Sequence, residues 1–376
     1  KCSPEEASEA LSSALTEAVR SRLPENGPVA AHLSGGLDSS AISVLASRML
    51  REENRSLLAY SFLSKTEEAE RPYVEMVLEQ ERYIVWNPVT IDDREAFFWP
   101  KMDSDQLFPL DISNPDIRVC SDVASQGANM LLSGWGGDQG ATFNGRGVLV
   151  VALLRGRWRY LVSEIRALQE TRGWSAFGVM KGELLRYLLP RSMWDGLRHL
   201  LGKDPGLADG ASSLLRADFA GKASATGAIA NPDACMNRFR MLTGPRLTRR
   251  VEEWAVMGSR YGLAVGFPML DRRVVELAVS LPSRLFLREG WKRRVYRDAM
   301  KGILPEQIRL RHDKLRPFPE IDSFLYSERE NLLARLAESC THPCFDSLFD
   351  REEIGEAIRS ADNTATVVSL KRIFNA

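Results

Sequence analysis

Val29-Ala30-Ala31-His32-Leu33-Ser34-Gly35-Gly36-Leu37-Asp38-Ser39-Ser40 is the stretch on which the fold turns. Residues 29–33 form a short, mostly apolar run of the length of a buried strand. After the glycines, Ala41, Ile42, Val44, Leu45, Ala46 and Leu50 recur at helical spacing. The order is therefore strand, tight loop, helix start. Two glycines let the backbone turn sharply and approach an anion, and the first N–H groups of the helix point into the same space with the positive end of its dipole. Ser34, Ser39 and Ser40 add hydroxyl donors, so the loop reads as a cradle for pyrophosphate. Asp38 is the odd member: a carboxylate beside phosphates repels them unless a divalent cation lies between. A lysine and the spacing of a Walker A loop are both missing, which disfavours a kinase-type phosphate loop.

Working outward, residues 57–63 read as a second buried strand, residues 83–89 as a third and residues 129–133 as a fourth. Helical segments near residues 70–80 and 116–127 separate them. Strands alternating with helices imply an α/β fold: a parallel twisted sheet, helices on both faces, right-handed crossovers and ligands at the C-terminal strand ends. A second glycine-rich loop, Ser133-Gly134-Trp135-Gly136-Gly137-Asp138-Gln139, ends the fourth strand. It is expected on the same sheet edge as the first. Asp38 and Asp138 would then reach one point, the paired-carboxylate arrangement that Mg²⁺ bridging to a triphosphate requires.

Past residue 150 the period becomes mainly helical, as in residues 158–172 and 253–261, while residues 204–233, rich in Gly, Ala and Ser, read as a loose insertion. The expected division is a nucleotide-binding α/β core over 1–150 and a mainly helical part over 151–376 that completes the site. At the N-terminus Ser3, Pro4 and Glu6 make a capping box for a helix with Leu11, Leu15, Val19 and Leu23 on one face. With 50 basic and 50 acidic residues the net charge is zero, which implies no general attraction to nucleic acid or membrane. No apolar run approaches the ~20 residues of a membrane span. Five scattered cysteines suit a reducing cytoplasm, and Cys340-Thr341-His342-Pro343-Cys344 is at most half a zinc site.

These motifs carry a resemblance. The first loop matches the PP-loop of ATP pyrophosphatases, and its Leu-Asp-Ser-Ser form resembles the asparagine synthetase superfamily. The second loop is similar to that family's Ser-Gly-x-Gly-x-Asp motif. Phe267-Pro268-Met269-Leu270-Asp271 resembles its Pro-Phe-Leu-Asp signature, and residues 290–297, Leu304-Pro305 and Arg311-His312-Asp313-Lys314 follow its C-terminal pattern. Within the superfamily the chain is most similar to the macrolactam-forming cyclases of lasso peptides, through Gly134–Asp138, Phe143–Gly147, Arg155–Trp158, Asp271–Val275 and Asp313-Lys314. The resemblance implies ATP and Mg²⁺ as cofactors and amide formation through an acyl-adenylate, with release of AMP and pyrophosphate. It implies a peptide substrate, with a leader-peptide protease and a recognition protein as further partners, and neither nucleic acid nor membrane. Ser34, Gly35, Gly36, Ser39 and Ser40 would hold pyrophosphate, Asp38 and Asp138 the metal, and Leu33, Ser61 and Phe62 adenosine, with Gly134 and Trp135 beside them. Lys314 matches the lysine on the α-phosphate and tetrahedral intermediate, and Lys292 or Arg293 another phosphate-facing cation.

The chain also departs from the pattern. Ala264 and Gly266 stand where the family has Glu and Arg, Trp135 where a tyrosine helps to handle the amine, and Gln139 where Glu is common. Either the reaction needs no such base, or Glu252, Glu253 or His312 substitutes, or the protein is a catalytically weak ATP-binding relative. The family's N-terminal glutaminase-like domain is not in the sequence, which favours an amine delivered by the substrate over one from glutamine; the missing initiator Met suggests a trimmed chain. Lasso-peptide cyclisation is thus expected, with an asparagine or other small-molecule amide synthetase as the alternative. The peptide reading expects Trp135, Phe143 and Trp158 along a cavity, although core packing is the stronger expectation for Trp158.

Overall fold

The structure, a computed structural model, describes residues 2–64, 69–91, 114–189, 193 and 234–312. Its main sheet is parallel throughout, with β1 (Val29–His32), β2 (Leu57–Ser64), β3 (Ile84–Ile91), β4 (Met130–Leu132) and β5 (Ala264–Gly266) in the order β3-β2-β1-β4-β5. The order reverses at β1, whose neighbours are β2 and β4. A crevice therefore opens past the ends of β1 and β4, where the two glycine-rich loops begin.

Helices cover both faces, so the strands read as apolar runs rather than alternating ones. On one face Val29, Ala31 and Leu33 share a core with α1 (Pro4–Arg20) and α2 (Leu37–Glu52). On the other, Ala30, Tyr60 and Leu131 pack with Val119, Cys120 and Val123 of α4 (Asn114–Ser125), and with Trp254 and Met257 of a later helix. α3 (Arg71–Gln80) links β2 to β3. The strand β3 lies at the sheet edge, where Pro88 costs no ladder bond that a central strand would need. The capping box forms: Glu6 N–H donates to Ser3 Oγ at 3.1 Å and Ser3 N–H to the Glu6 carboxylate at 2.8 Å. Leu11, Leu15 and Val19 are buried as their spacing predicts.

The sheet is not finished by residue 150. β5 adds to β4 from the second half of the chain, with Ala264 N–H donating to Asn129 O and Ser133 N–H to Gly266 O, each at 2.8 Å. One compact unit accordingly takes in residues 1–100, 110–188 and 231–317. Its second half contains α5 (Val148–Leu154), α6 (Trp158–Arg172), and a π turn over Met180–Leu185 between α7 (Ala176–Val179) and α8 (Arg186–Leu188). There follow α9 (Ala234–Thr243), α10 (Pro245–Arg260), α11 (Arg272–Ser280), a hairpin of β6 (Leu287–Arg288) and β7 (Trp291–Lys292), α12 (Arg294–Ala299) and α13 (Glu306–Arg309). The whole of the expected 204–233 insertion, the half zinc site at Cys340, His342 and Cys344, and Lys314 lie outside the described residues.

Asp271 ties the first helix to the last part of this unit. It caps α11 by accepting from Arg273 N–H at 3.0 Å and the Arg273 side chain at 2.9 Å, and it accepts from Arg22, just past α1, at 2.7 Å. Those hydrogen bonds, first from Arg273 and then from Arg22, hold its carboxyl well below the usual carboxylate range against the opposing effect of burial. A carboxyl depressed in this way stabilises the fold above its unfolded pKa of ~3.9, and the contribution is lost as pH falls through the folded value. Asp271→Asn is expected to lower unfolding free energy by about 1–3 kcal/mol at pH 7. In urea titrations the gap to wild type should shrink below about pH 4.

Candidate active site

The first loop builds its own anion seat. Gly35 has φ +66°, and a Cβ there would lie 2.5 Å from Tyr73 Cβ, so the turn requires glycine. Ser34 N–H donates to Ser39 Oγ at 3.1 Å, and the two hydroxyls are 2.8 Å apart. Gly36 enters α2 without a side-chain cap, which leaves the first-turn N–H groups to a ligand.

The second loop lies directly on that first turn. A Cβ on Gly134 would be 2.4 Å from Ser39 N and 2.7 Å from Asp38 C, and one on Gly137 would be 2.9 Å from Asp38 Oδ2. Thr142 Oγ1 donates to Asp38 Oδ2 at 3.3 Å, so Asp38 stands between the two loops. Asp138 sits on the 3₁₀ turn Gly137–Gln139 and accepts from Arg293 at 2.6 Å. Both carboxylates line one cleft of about 720 Å³. Two oxygen donors on facing loops beside an anion seat suit a hard divalent cation such as Mg²⁺, which takes one or two carboxylates and fills its shell with water and phosphate.

The cations come from the hairpin and its surroundings. Glu164 of α6, itself buried, accepts from the N–H groups of Glu289 at 2.9 Å and Gly290 at 3.0 Å, which fixes the hairpin turn. Directly after β7, Arg293 takes the left-handed conformation (φ 60°) and aims its guanidinium at Asp138. Lys292 is 2.5 Å from Glu183 of the π turn and 5.1 Å from the centre of the Trp174 ring. Arg297 donates to the carbonyls of Lys292 at 2.9 Å, Arg311 at 2.8 Å and also Arg309, joining α12 to the segment entering His312. Burial and then the nearby Arg293 lower its pKa to about 10, which leaves it cationic at neutral pH. Among the described residues lining the cleft, Arg146, Arg172, Arg250, Lys292, Arg293, Arg297 and Arg311 face Asp38, Glu70, Asp116 and Asp138, so this pocket of a neutral chain is locally positive.

Of the residues that the sequence singled out, Ser34, Gly35, Gly36, Asp38, Ser39, Phe62, Gly134, Trp135, Asp138, Lys292 and Arg293 line this cleft. Three do not. Ser40 is fully buried one turn into α2, where its side chain packs inward. Leu33 is buried in the core, and Ser61 is spent on structure: its hydroxyl donates to Leu33 O and accepts from Trp86 Nε1 at 2.9 Å. Phe143 is likewise a core residue, edge-on to Phe286 at 5.7 Å, and not a cavity wall. Trp158 is neither packed in the core nor at the cleft; it is 59 % exposed at the start of α6. Among the substitute bases, Glu252 is exposed away from the cleft, and Glu253 is buried against Arg249 at 2.8 Å and Arg250 at 3.7 Å. His312 does line the cleft, stacked on Trp291 at 3.9 Å. Ala264 and Gly266 lie in β5 and bring no charge to the site. Lining residues to which the sequence reading gave no role include His32, Asn144, Arg146, Arg172 and Trp254; His32 lies two positions before the first loop, and Asn144 and Arg146 lie in the 143–147 motif that carried the resemblance.

A parallel sheet with a glycine-rich loop at an uncapped helix start, two carboxylates on facing loops and surrounding cations is the arrangement that a nucleotide-dependent enzyme of the PP-loop type would need. The chain belongs to the asparagine synthase family, whose model matches residues 10–372, and the family places it among ATP-dependent ligases that form amide bonds, generally with Mg²⁺. No curated protein matches it. Among solved structures, the chain has a likeness to the U34-tRNA thiolase NcsA from Methanococcus maripaludis with its [4Fe-4S] cluster, at 12 % identity and a TM-score of 0.26 over 67 % of this chain and 79 % of that one.

The contact between the loops can be tested with Gly134→Ala. Its Cβ, 2.4 Å from backbone, forces the loops apart. Calorimetric titration should show Mg-ATP affinity falling by about tenfold or more. Gly182→Ala, with nothing within 4 Å of its Cβ, should bind like wild type.

Proposed function

We propose that this protein forms an amide bond within a peptide: it adenylates an Asp or Glu side-chain carboxylate with ATP and closes a macrolactam onto the peptide's own N-terminal amine, as a lasso-peptide cyclase does. The observation that carries the reading is the convergence of Asp38, Asp138 and the cations of the hairpin on one cleft beside an uncapped helix start.

A carboxylate is a poor acyl donor because its leaving group would be oxide. In the proposed first step a carboxylate oxygen attacks the α-phosphorus of ATP, the bond to the bridging oxygen breaks, and pyrophosphate leaves. In the second the amine nitrogen attacks the acyl carbon, AMP leaves with the former carboxylate oxygen, and the amine loses a proton. Mg²⁺ on Asp38 and Asp138 would supply charge neutralisation at the phosphates. The first-turn N–H groups of α2 and the hydroxyls of Ser34 and Ser39 bind the pyrophosphate oxygens. Arg293 and Lys292, held by Asp138 and Glu183 at 2.6 and 2.5 Å, are in reach of the charge that develops on departure. Lys314, two residues past His312, is assigned to the α-phosphate from the family pattern.

The departures at Ala264 and Gly266 support a substrate that brings its own amine. An N-terminal amine has a pKa near ~8 and is partly neutral at cytoplasmic pH, so a dedicated base is less needed. His312 is the cleft residue placed to take the proton. Trp135, half-buried in the cleft and edge-on to Phe267 at 6.3 Å, offers an apolar wall for peptide side chains. Holding the chain folded for ring closure makes the attack effectively unimolecular.

Incubation with ATP, Mg²⁺ and a processed core peptide is expected to release AMP and pyrophosphate and to give a product lighter by one water. AMP released with free aspartate and ammonium but not with peptide would instead establish a small-molecule synthetase. Asp38→Asn should lower pyrophosphate release by at least about 10²-fold with an unchanged circular dichroism spectrum; retained turnover would remove the metal assignment.

A further inference from the structure

Arg297, Arg309 and Arg311 meet where α12, α13 and the segment entering His312 come together, and the first two are spent on the protein. Arg309 donates to both oxygens of Glu306, at 2.7 and 2.6 Å, and to the Arg297 carbonyl at 3.2 Å. Arg297 donates to the carbonyls of Lys292, Arg309 and Arg311. Arg311 is different. It lines the cleft, and among the described residues its guanidinium makes neither an ion pair nor a hydrogen bond. It lies instead over Tyr73, 4.0 Å from the centre of the ring, a distance at which two planar groups are in face contact. A guanidinium stacked on an aromatic face keeps its in-plane N–H fork free, and that fork grips a phosphate by two bonds.

Tyr73 ties this arginine to the phosphate loop. It lies in the first turn of α3, and its Cβ is 2.5 Å from the point that a Cβ on Gly35 would occupy, with its carbonyl carbon and Val74 N each at 3.1 Å. The Gly35 turn is therefore pressed against the backbone that carries the ring. The phenol hydroxyl has no hydrogen-bond partner among the described residues, so the ring acts here through its face. The chain before Arg311 is fastened to α2 and α3 as well. Gln80 of α3 donates to Ile303 O at 2.6 Å, and Arg48 of α2 to Gly302 O at 3.2 Å and Ile303 O at 3.3 Å. Arg311 is thus seated by the protein itself, beside the glycine turn.

We propose that Tyr73 and Arg311 work as one unit: Tyr73 is a positioning residue, and Arg311 binds the outer phosphates of the nucleotide, the β and γ groups. The inference rests on the nucleotide reading above and adds to it a cation carried by a segment separate from the hairpin. In that reading the Gly35 turn holds pyrophosphate, which puts Arg311 with the outer phosphates and not with the α-phosphate.

The full chain with Mg²⁺ can be titrated calorimetrically with pyrophosphate, ATP and AMP. Arg311→Ala should weaken pyrophosphate and ATP by about tenfold or more and leave AMP within about twofold. Arg311→Lys, which keeps the charge without the fork, should stay at least about threefold weaker than wild type. Tyr73→Leu keeps the Cβ that meets Gly35 and removes the face; it should weaken pyrophosphate by about threefold, while Tyr73→Phe should bind like wild type. In the Arg311→Ala background Tyr73→Leu should have no further effect, whereas a merely structural role of the ring would persist there. Equal effects of Tyr73→Leu with and without Arg311 overturn the unit, as does full affinity in Arg311→Lys or a loss with AMP as large as that with pyrophosphate. The Arg311 side chain makes no hydrogen bond within the fold, so the Arg311→Ala arm stands even should Tyr73→Leu fail to fold. Unchanged pyrophosphate affinity in Arg311→Ala overturns the inference and leaves the nucleotide reading standing. Wild type that binds neither pyrophosphate nor ATP overturns both.

Discussion

The closeness of two backbones governs this site. Gly134 brings the loop after β4 so near the first turn of α2 that any side chain there would overlap the Ser39 amide, and Gly137 does the same against the Asp38 carboxylate. Two loops separated by about a hundred residues are thereby held at van der Waals contact, and their carboxylates, Asp38 and Asp138, face one cleft. Parallel pairing makes this affordable in strain: β1 and β4 are neighbours in register, Ala31 opposite Leu132, so both loops leave the sheet at the same level. The meeting of the two carboxylates is a consequence of strand register and two missing Cβ atoms.

A positive wall must then oppose that acidic seat, and it is built from a different kind of structure. The hairpin carrying Lys292 and Arg293 has only two residues in each strand, too few to stand by itself. Glu164 clamps its turn from α6, and Arg297 fastens its Lys292 carbonyl to the segment before His312. Arg297 is itself buried, and its guanidinium spends its donors on carbonyl oxygens, so it positions backbone while contributing charge. Helices far along the chain therefore matter to the site through the hairpin they immobilise.

The sheet and its loops were legible because their physics is local. Glycines at fixed offsets, an apolar run before them and a helical period after them specify strand, turn and helix without any distant partner. α6 was legible for the same reason, its period running over residues 158–172 as observed. β5 was not: three residues, Ala-Val-Gly, carry no periodicity, and the strand exists only because β4 offers an edge for it to pair with. Phe143 beside a glycine-rich loop resembled a cavity wall, yet Arg238, buried between Phe143 and Phe286 and bonded to the carbonyls of Ala278 and Leu281, draws it into the core. Ser40 followed the same logic in reverse: a hydroxyl one position past the cleft-lining Ser39 rotates about a hundred degrees around the helix and meets the core.

Charge was the property hardest to read from composition. A chain with equal numbers of acids and bases suggests no field, but the fold sorts them, placing seven cations and four carboxylates among the described residues around one cleft. Several of those cations are already engaged, among them Arg293 with Asp138, Lys292 with Glu183 and Arg250 with Glu253. Such pairing keeps the charges partly desolvated yet balanced, so that a polyanionic ligand would replace one set of partners by another instead of meeting bare charge. The gain on binding a polyanion would then be the difference between two well-paired states.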